Sequence, residues 1–533
     1  MKFKTAIFLM LLFVIPHHQT LAAPPDLNFT VNMSEAVTVN TGGGTPRIAV
    51  DVGGQTRYAS YASGSGSAAL TFAYAPTIGD LDLDGIALSS PVDLNGGTIT
   101  DLNGNPETDL TFTVPNTSGI KIDYPSLSMD FIYDADGRYT LNGIAYNDLT
   151  SFLGASGGTF SRASIGTYFD SSGTLQTASA NQPRFDHDPV THAPNGVLIE
   201  ESRTNFLKRS SEFDNATWIK QANCTLTSNT TIAPDGTLTA DTYSSNGVSP
   251  NGLYQTTATT ANTTYTATIY VKYISGRWFR FMAYNGTSNQ YRVWFDLQNG
   301  IMGTAQSNGT ATFYNASMLN IGNGWYRISV TGSITTGTTY TQLNAQIGDG
   351  NTTTAVGDAY IWGAQLEQGA FPTSYIPTTA ASVTREADNL NIPTASWYNQ
   401  NAGSFFNDIS WQSSTGSLYP TFFRVDGAGG NKWHAYYNQS GGNIAVDGFT
   451  NGVSQGAWGV ASSTSGTAKI SAAQELNNAN AAFNGTIKTL DTIWSPPNVS
   501  QLNLYGSNAN KWFGKIKYYP IRTSDAQLQL LTQ

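Results

Sequence analysis

The sequence contains a single cysteine in 533 residues, Cys224, so no disulfide can form within one chain. No cysteine follows the N-terminal apolar segment, so a lipid anchor of the lipoprotein kind is not indicated. A disulfide-stapled scaffold is therefore excluded.

Charged side chains are also scarce. Asp, Glu, Lys and Arg make up 12% of the residues, about half of their share in an average soluble domain. The net charge is −10, and no stripe of Lys and Arg is present. Because affinity for phosphate backbones rests on clustered basic side chains, the sequence predicts no nucleic-acid partner.

Glycine and aromatic residues are abundant instead. The chain has 53 Gly, 27 Tyr, 25 Phe and 11 Trp, which is typical of turn-rich β-structure and too apolar for a disordered chain. A length of 533 residues corresponds to roughly three or four domains. The sequence therefore predicts a multidomain, all-β protein.

Residues 1–22 have the layout of a secretory signal peptide. Lys2 and Lys4 precede the apolar run Ala6–Ile15, and small residues follow near Ala22. The apolar run is too short to span a bilayer of about 30 Å. We therefore expect a secreted, extracellular chain with no integral membrane span after cleavage, or a place on the virion surface if the protein is phage-borne.

Short alternating strands broken by Gly, Pro and Asn run through residues 23–117, for example in Ala69–Tyr74. This pattern predicts a small sandwich. Ser34–Val39 and Gly79–Ile86 resemble parts of the Ig-like repeats of large bacterial surface proteins. The resemblance implies an Ig-like β-sandwich.

Residues 118–205 show no long hydrophobic period and many turn signals, which indicates a connector with a few short strands. Phe160–Ser164, Pro183–Thr191 and Gly196–Asn205 resemble the connector of phage tail-fibre and minor structural proteins. The resemblance implies a phage-type connector in front of the next domain.

Residues 206–388 and 389–533 each carry strands separated by hairpin-type turns. In the first, Asn323–Arg327 and Ile361–Glu367 resemble the carbohydrate-binding-module-like domain of the same phage proteins. In the second, Trp512–Pro520 resembles the close of their concanavalin-like, or laminin-G-like, lectin domains. The predicted fold is an Ig-like β-sandwich followed by two jelly-roll β-sandwiches.

These resemblances imply a non-enzymatic surface or tail-fibre-like protein that binds a cell-surface polysaccharide or glycan for adhesion or host recognition. Fibre proteins of this kind are often trimers, so a homotrimer is expected, and avidity would then supply the affinity. Two alternatives stay open. One is a secreted polysaccharide-acting enzyme, a glycoside hydrolase or lyase, or its accessory binding protein; the other is a purely structural fibre component.

The sequence shows no evident catalytic constellation. A glycosidase on a jelly roll needs two carboxylates about 5–9 Å apart, commonly at alternating positions of one strand, and the acidic residues of 389–533 lack that spacing. Gly154–Gly158 fits the hydrolase nucleophile pattern without the strand and helix that should flank it. We therefore expect no catalytic residues and no enzyme activity.

One acidic segment has metal-ligand spacing. Asp80, Asp82 and Asp84, followed by Gly85, match the first half of a calcium loop, in which alternate carboxylates converge on one cation. The second half is missing, because Pro91 stands where such a loop has Glu. Two interpretations stay open: the segment binds calcium, which would be the only cofactor, or it is a solvated acidic turn.

Sugar binding needs aromatic faces for the apolar side of a pyranose and polar groups for its hydroxyls. Strand alternation places Trp278, Arg280 and Tyr284 on one face of a predicted strand. On the next strand it leaves Arg292 and Trp294 outward. The alternate side chains of that strand are predicted to be core: Tyr291, Val293, Phe295 and Leu297.

In the last domain Trp433, His434 and Tyr436 follow a glycine-rich loop, a position where lectins often recognise sugars. With the five residues of the middle domain, they are the predicted carbohydrate-binding side chains. The alternative for each is that it covers a sheet face or packs against a neighbouring domain. Trp325 and Trp362 are predicted to be core.

Overall fold

A computed structural model describes residues 6–7, 24–132, 138–413 and 419–533. The predicted signal peptide, apart from Ala6–Ile7, lies outside the described residues. The protein is about 54% strand and 4% helix, which confirms the all-β, multidomain class. Its α-helices are Leu149–Ser156 and Asp525–Leu531, and Ala428–Gly430 forms a 3₁₀ turn. No helix in the described part of the chain has the length and apolarity needed to cross a membrane.

The N-terminal sandwich is built on one antiparallel sheet. Its strands are Ala6–Ile7, Leu27–Asn40, Ser67–Tyr74, Gln55–Ser63, Arg47–Val52 and Ala87–Asp93 in spatial order, with Thr98–Asp101 paired to Leu27–Asn40. The long strand Leu27–Asn40 changes register against Ser67–Tyr74 between Asn32 and Val37, and its last residues pair with Thr98–Asp101. Its inward side chains share one core with Ile48, Val50 and Phe72.

The middle sandwich consists of two six-stranded antiparallel sheets, which we call the front sheet and the back sheet. The front sheet has the order Ile219–Lys220, Leu253–Ala258, Thr338–Gln346, Trp278–Tyr284, Gln290–Asp296 and Ile301–Asn308. The back sheet has the order Cys224–Thr231, Ala240–Asn246, Val356–Gln368, Thr264–Ser275, Trp325–Ser333 and Thr312–Asn320. Both sheets use only strands from residues 219–368, so this sandwich is complete in itself.

The C-terminal sandwich also has two sheets. The larger has the order Ile144–Tyr146, Tyr139–Leu141, Leu127–Asp130, Ala509–Tyr519, Ala402–Ser413, Ser465–Glu475, Asn478–Phe483 and Thr486–Ile487. Pro194–Ile199 also pairs with Ala509–Tyr519, and Phe185–His187 pairs with Pro194–Ile199. The other, which we call the seven-stranded sheet, has the order Thr159–Ser161, Asn389–Pro393, Gln501–Tyr505, Thr421–Asp426, Lys432–Asn438, Asn443–Thr450 and Val453–Ala461. Three strand pairs complete the fold: Leu81–Asp82 with Ile122–Asp123, Gly166–Phe169 with Leu175–Ala178, and Arg203–Asn205 with Val383–Arg385.

The segment predicted as a connector supplies strands to the C-terminal sandwich. Leu127–Asp130 and Pro194–Ile199 pair with successive parts of Ala509–Tyr519. Thr159–Ser161 pairs with Asn389–Pro393 in the other sheet. The apolar side chains of these strands lie in the same core as those of the C-terminal residues. The segment therefore forms part of this sandwich, and the middle sandwich is inserted between its strands; the predicted domain boundaries stay a prediction.

Five charged side chains form a buried charge network where the chain enters and leaves the middle sandwich: Arg162, Arg184, Glu200, Arg385 and Asp388. Asp388 accepts from Arg162 Nη1 at 2.8 Å and from Arg184 Nη2 at 2.5 Å. Glu200 accepts from Arg184 Nη1 at 2.7 Å and from Arg385 Nη1 at 2.6 Å. Every side chain in the network is at most 1% exposed, so water does not screen these pairs.

Because of Glu200, the contribution of the buried charge network to the free energy of unfolding falls at acid pH. Burial alone would raise the pKa of this carboxyl, but Arg385 and Arg184 outweigh burial and lower the pKa to about 2 from 4.5. Because the folded pKa is depressed, this contribution is fully present above pH 4.5 and is lost as pH falls toward 2. We expect the loss to reach about 3 kcal/mol in total.

Urea unfolding of the intact chain at pH 7, 5, 4 and 3 measures this loss. The difference in unfolding free energy between the wild type and Glu200→Gln should shrink below pH 4.5, because the variant has no carboxyl to protonate at this position. A difference that stays constant down to pH 3 would contradict this role of Glu200.

Candidate functional site

The outward side of the front sheet carries tyrosine, arginine and amide side chains in cross-strand rows. Phe279, Phe281 and Ala283 point into the core, so the alternate residues of the same strand point outward. One row joins Asn344, Arg280 and Trp294; the next joins Tyr254, Gln342, Met282, Arg292 and Gln306; a third joins Thr256, Tyr340, Tyr284 and Gln290. We call the surface formed by Tyr254, Arg280, Tyr284, Arg292, Tyr340, Gln342 and Asn344 the arginine–tyrosine face.

Three tyrosines form one end of this face. The ring centroids of Tyr284 and Tyr340 lie 4.9 Å apart with the rings inclined at 33°, and those of Tyr254 and Tyr340 lie 5.6 Å apart. All three side chains are partly exposed. Burial and the neighbouring tyrosines raise the pKa of Tyr284 to about 12, so its hydroxyl stays protonated at neutral pH. The cluster therefore offers aromatic surface and hydroxyl donors to a ligand.

Two arginines lie beside the tyrosines. Arg280 donates from Nη2 to Asn344 Oδ1 at 3.2 Å, and its Nε is buried with no hydrogen-bond partner among the described residues. Arg292 donates from Nη2 to Gln306 Oε1 at 2.9 Å. Burial, and then the charge of Arg292, lower the pKa of Arg280 to about 10, so both guanidiniums remain charged at neutral pH.

The two tryptophans of this face differ in exposure. Trp278 is partly exposed at the edge of the rows, but Trp294 is fully buried. Its Nε1 donates to the backbone oxygen of Asn351 at 2.7 Å, so the loop after Thr338–Gln346 covers the ring. The Arg292 guanidinium lies 5.1 Å from the Trp294 ring centroid. The prediction that Trp294 is an exposed platform is therefore corrected. Its ring is a buried support that holds Arg292 by a cation–π contact.

The predicted residues of the C-terminal sandwich separate onto two sides of the seven-stranded sheet. Trp433 is fully buried in the core with Ala435 and Tyr437, whereas His434 and Tyr436 alternate with them and point outward. Trp433 is therefore corrected: its side chain packs inside the sandwich and does not reach a ligand at this surface.

His434 and Tyr436 belong to a compensated polar cluster. The His434 Nε2 atom contacts Asp447 Oδ1, and Tyr436 donates to Asp447 Oδ2 at 3.1 Å. Burial lowers the pKa of His434 despite the opposing effect of Asp447. On a neighbouring strand Arg424 pairs with Asp426 at 2.5 Å. Asp447 is thus held by His434 and Tyr436, and Arg424 is neutralised by Asp426.

The structure does not bring Asp80, Asp82 and Asp84 together as metal ligands. Asp80 pairs with Arg57 at 2.8 Å and also accepts from Tyr74, Asp82 accepts from two backbone N–H groups, and Asp84 accepts from Gln527 Nε2 at 2.6 Å. Within the described ranges, no group of three or more His, Cys, Asp and Glu is arranged to hold a metal ion. The acidic turn thus uses its carboxylates in protein contacts, and calcium binding at this turn stays a prediction.

A cleft of about 340 Å³ lies between the back sheet of the middle sandwich and the C-terminal sandwich. Asp186, Tyr270, Arg327 and Trp512 line it. The Asp186 carboxylate already accepts two hydrogen bonds within the protein, from Trp512 Nε1 at 2.7 Å and from the Phe169 N–H at 2.8 Å. Burial raises the pKa of Asp186. These contacts assign the carboxylate to joining Phe185–His187 to Gly166–Phe169 and to Ala509–Tyr519.

Sequence reasoning did not identify Tyr254, Tyr340, Gln342 or Asn344 as part of the face. They come from two strands, Leu253–Ala258 and Thr338–Gln346, that are distant in sequence from Trp278–Tyr284. The alternation of Tyr340, Gln342 and Asn344 was a usable signal for one outward side. Nothing in the sequence indicated which strand would lie next to Trp278–Tyr284.

No protein-family model matches the chain, and no curated protein matches it in sequence. Solved structures to which it is similar include a Crh5 transglycosylase, at 7% identity and a TM-score of 0.20 over 27% of this chain and 76% of that protein. A Trypanosoma rangeli sialidase in complex with sialic acid matches at 8% identity and a TM-score of 0.23 over 95% of this chain and 68% of that one. The LG1–3 region of the laminin α2 chain matches at 10% identity and a TM-score of 0.16 over 96% of both chains.

These findings correct one prediction. The sequence led us to expect a protein without enzyme activity, but glycosidase-type enzymes, a transglycosylase and a sialidase, are among the structures similar to the chain. The missing catalytic motif therefore does not exclude an enzyme. These similarities assign neither a substrate nor a mechanism to the chain.

Proposed function

We propose that the protein recognises a cell-surface polysaccharide for adhesion or host recognition, and that the arginine–tyrosine face holds the glycan. The observation that carries this proposal is the combination of three partly exposed tyrosine rings with the partly exposed Arg280 and the largely buried Arg292 on one outward sheet face. Sugars are recognised by aromatic faces together with convergent polar groups, and this face supplies both.

The face is suited to recognition because its side chains lie on paired strands. Trp278–Tyr284 is its central strand, hydrogen-bonded to Gln290–Asp296 on one side and Thr338–Gln346 on the other. Side chains on such strands keep their positions when a ligand arrives, so little conformational entropy is lost on binding. The tyrosine rings would stack on the apolar side of a pyranose, and the tyrosine hydroxyls and the Arg280 guanidinium would orient its hydroxyls.

The setting of this activity is part of the proposal. The predicted signal peptide and the resemblance to bacterial surface repeats favour a location outside the cell, and the resemblance to tail-fibre proteins favours a trimeric, fibre-like assembly. A homotrimer would present three copies of the face, and avidity would then strengthen individually weak contacts.

Replacing Tyr284 with alanine tests the proposal. A glycan array screened with the intact chain supplies the ligand, and isothermal titration then compares the variant with the wild type. We expect the affinity to fall roughly 10- to 100-fold, because truncating a central aromatic anchor commonly costs that much. Tyr284→Phe keeps the ring and should keep most of the affinity. Tyr314→Ala, on the back sheet and 54% exposed, is the matched control and should change nothing.

Equal affinity of the wild type and Tyr284→Ala would remove the arginine–tyrosine face from the proposed function. Absence of binding to any glycan would leave a purely structural fibre component as the better interpretation. Reducing ends released from a bound polysaccharide would show that recognition serves an enzyme acting on it, the alternative that the sequence left open.

A further inference from the structure

We infer that the ligand of the arginine–tyrosine face is an acidic polysaccharide, and that Arg280 and Arg292 together bind the carboxylate of one of its sugar units. This inference rests on the proposed function and specifies the chemistry of the glycan. It follows from the position of the two guanidiniums, from their lack of carboxylate partners among the described residues, and from the tyrosines beside them.

Arg280 and Arg292 lie on adjacent strands of the front sheet. Arg280 is the cross-strand partner of Trp294, and Arg292 is the partner of Met282 on the adjacent strand. The arginines are therefore diagonal neighbours on one face, with Cβ atoms typically about 7–8 Å apart in such an arrangement. Long side chains at this spacing can converge on a single anion. Without an anion, the two positive charges repel each other in a partly desolvated place.

Neither arginine has a carboxylate partner among the described residues. The carboxylates at the margin of the face are engaged elsewhere. Asp296 pairs with Arg277 at 2.6 Å, and Asp349 accepts from the backbone N–H and the hydroxyl of Thr304 at 2.7 and 2.9 Å. Within the described part of the chain, the two guanidiniums contact neutral amide oxygens and the Trp294 ring.

This local excess of positive charge lies in a chain with a net charge of −10. On the seven-stranded sheet, by contrast, Arg424 is neutralised by Asp426. Partly buried like charges without counter-charges lower stability, and natural sites tolerate that loss where a ligand supplies the missing charge. The structure therefore points to an anionic ligand group between Arg280 and Arg292.

The adjoining tyrosines identify the rest of that ligand as a sugar ring. The row of Met282 and Gln342, to which Arg292 belongs, lies next to the row of Tyr284 and Tyr340, and Arg280 lies one row further away. One monosaccharide can bridge the step between adjacent rows. A uronic-acid unit could place its carboxylate at the guanidiniums, where planar, bidentate hydrogen bonds form, and its ring over a tyrosine. A neutral sugar would leave both charges unpaired.

Binding of the intact chain to polygalacturonate and to fully methyl-esterified polygalacturonate tests this inference, because the two polymers differ only in the charge of the carboxyl group. We expect the acidic polymer to bind at least ~10-fold more tightly, and this preference to disappear in Arg280→Gln/Arg292→Gln. Arg280→Lys/Arg292→Lys keeps the charge without the planar fork and should retain part of the preference. Arg47→Gln, a distant arginine of the N-terminal sandwich, is the control for net charge.

Thermal unfolding of the same variants shows whether they remain folded. Removal of the repelling charges should leave the melting temperature unchanged or raise it while the preference for acid is lost, an outcome that a structural role for the arginines would not give. Dextran sulfate and a single-stranded DNA oligonucleotide are included as other polyanions. Preferential, arginine-dependent binding of either one would overturn the assignment to a carboxylated sugar.

The outcomes separate this inference from the proposed function. Equal binding of acidic and esterified polymer that falls in Tyr284→Ala would overturn the inference and leave the glycan-binding face intact. Absence of binding to any of these polymers would overturn the inference. Binding that neither the arginine variants nor Tyr284→Ala weaken would overturn the inference and would also remove the face from the proposed function.

Discussion

Replacing Glu200 with glutamine is expected to lower the free energy of unfolding by about 3–5 kcal/mol, the range found when one partner of a buried ion pair is removed. The variant leaves Arg385 without its carboxylate, and Arg184 keeps only Asp388. The backbone N–H of Ser374 also loses its charged acceptor, now 2.8 Å away. An uncompensated buried guanidinium cannot regain hydration without opening the structure.

Glu212→Gln is the matched control for this prediction. Glu212 pairs with Arg209 at 2.9 Å, but their side chains are 42% and 32% exposed. Exposed pairs of this kind contribute about 0–1 kcal/mol, so the control should be close to the wild type. Urea unfolding followed by tryptophan fluorescence measures both free energies. Equal losses in the two variants would show that burial of the network does not determine its contribution.

The second large effect concerns chain fragments. Residues 389–533 alone should fail to fold, although they contain most strands of the C-terminal sandwich. Without Leu127–Asp130 and Pro194–Ile199, one edge of Ala509–Tyr519 has no partner. Apolar side chains of the shared core would also be exposed to water. Residues 118–533 restore those strands and should fold.

The middle sandwich provides the contrast, because its sheets contain only their own strands. Residues 206–378 should therefore show dispersed amide resonances and a cooperative thermal transition. The 389–533 fragment should aggregate or show neither property. A well-folded 389–533 fragment would contradict the conclusion that the connector segment is a structural part of the C-terminal sandwich.

Local alternation was the part of the structure that sequence predicted best. The predicted core residues Tyr291, Val293, Phe295 and Leu297 are all buried together. Trp325 and Trp362 are also core, as predicted. In Tyr291–Leu297 one side is apolar and the other carries Arg292 and Asp296, so the sequence itself distinguishes inward from outward positions.

Alternation also separates the two sides of Lys432–Asn438, where Trp433, Ala435 and Tyr437 fill the core while His434 and Tyr436 face outward. The expectation that Trp433 contacts a sugar rested on its place after a glycine-rich loop and not on this alternation. The strands that residues 118–205 contribute are only three to six residues long. Most of them pair with strands hundreds of residues away, so no local period marks them.

The site was predicted in part for similar reasons. Trp278, Arg280, Tyr284 and Arg292 do lie on one outward face, because alternation fixes both strands and the hairpin between them fixes their neighbours. Tyr254 and Tyr340 come from remote strands whose order in the sheet depends on tertiary packing. The burial of Trp294 depends on a loop conformation that local propensity does not determine.

Hydrogen–deuterium exchange of the intact chain, with and without a polysaccharide to which it binds, tests most directly whether the arginine–tyrosine face holds the glycan. We predict slower exchange in the front sheet and its flanking loops, at 278–297 and 338–353, and no change in the seven-stranded sheet. Protection confined to 421–461, or to the cleft around Trp512, would contradict this claim and place the ligand on the C-terminal sandwich instead.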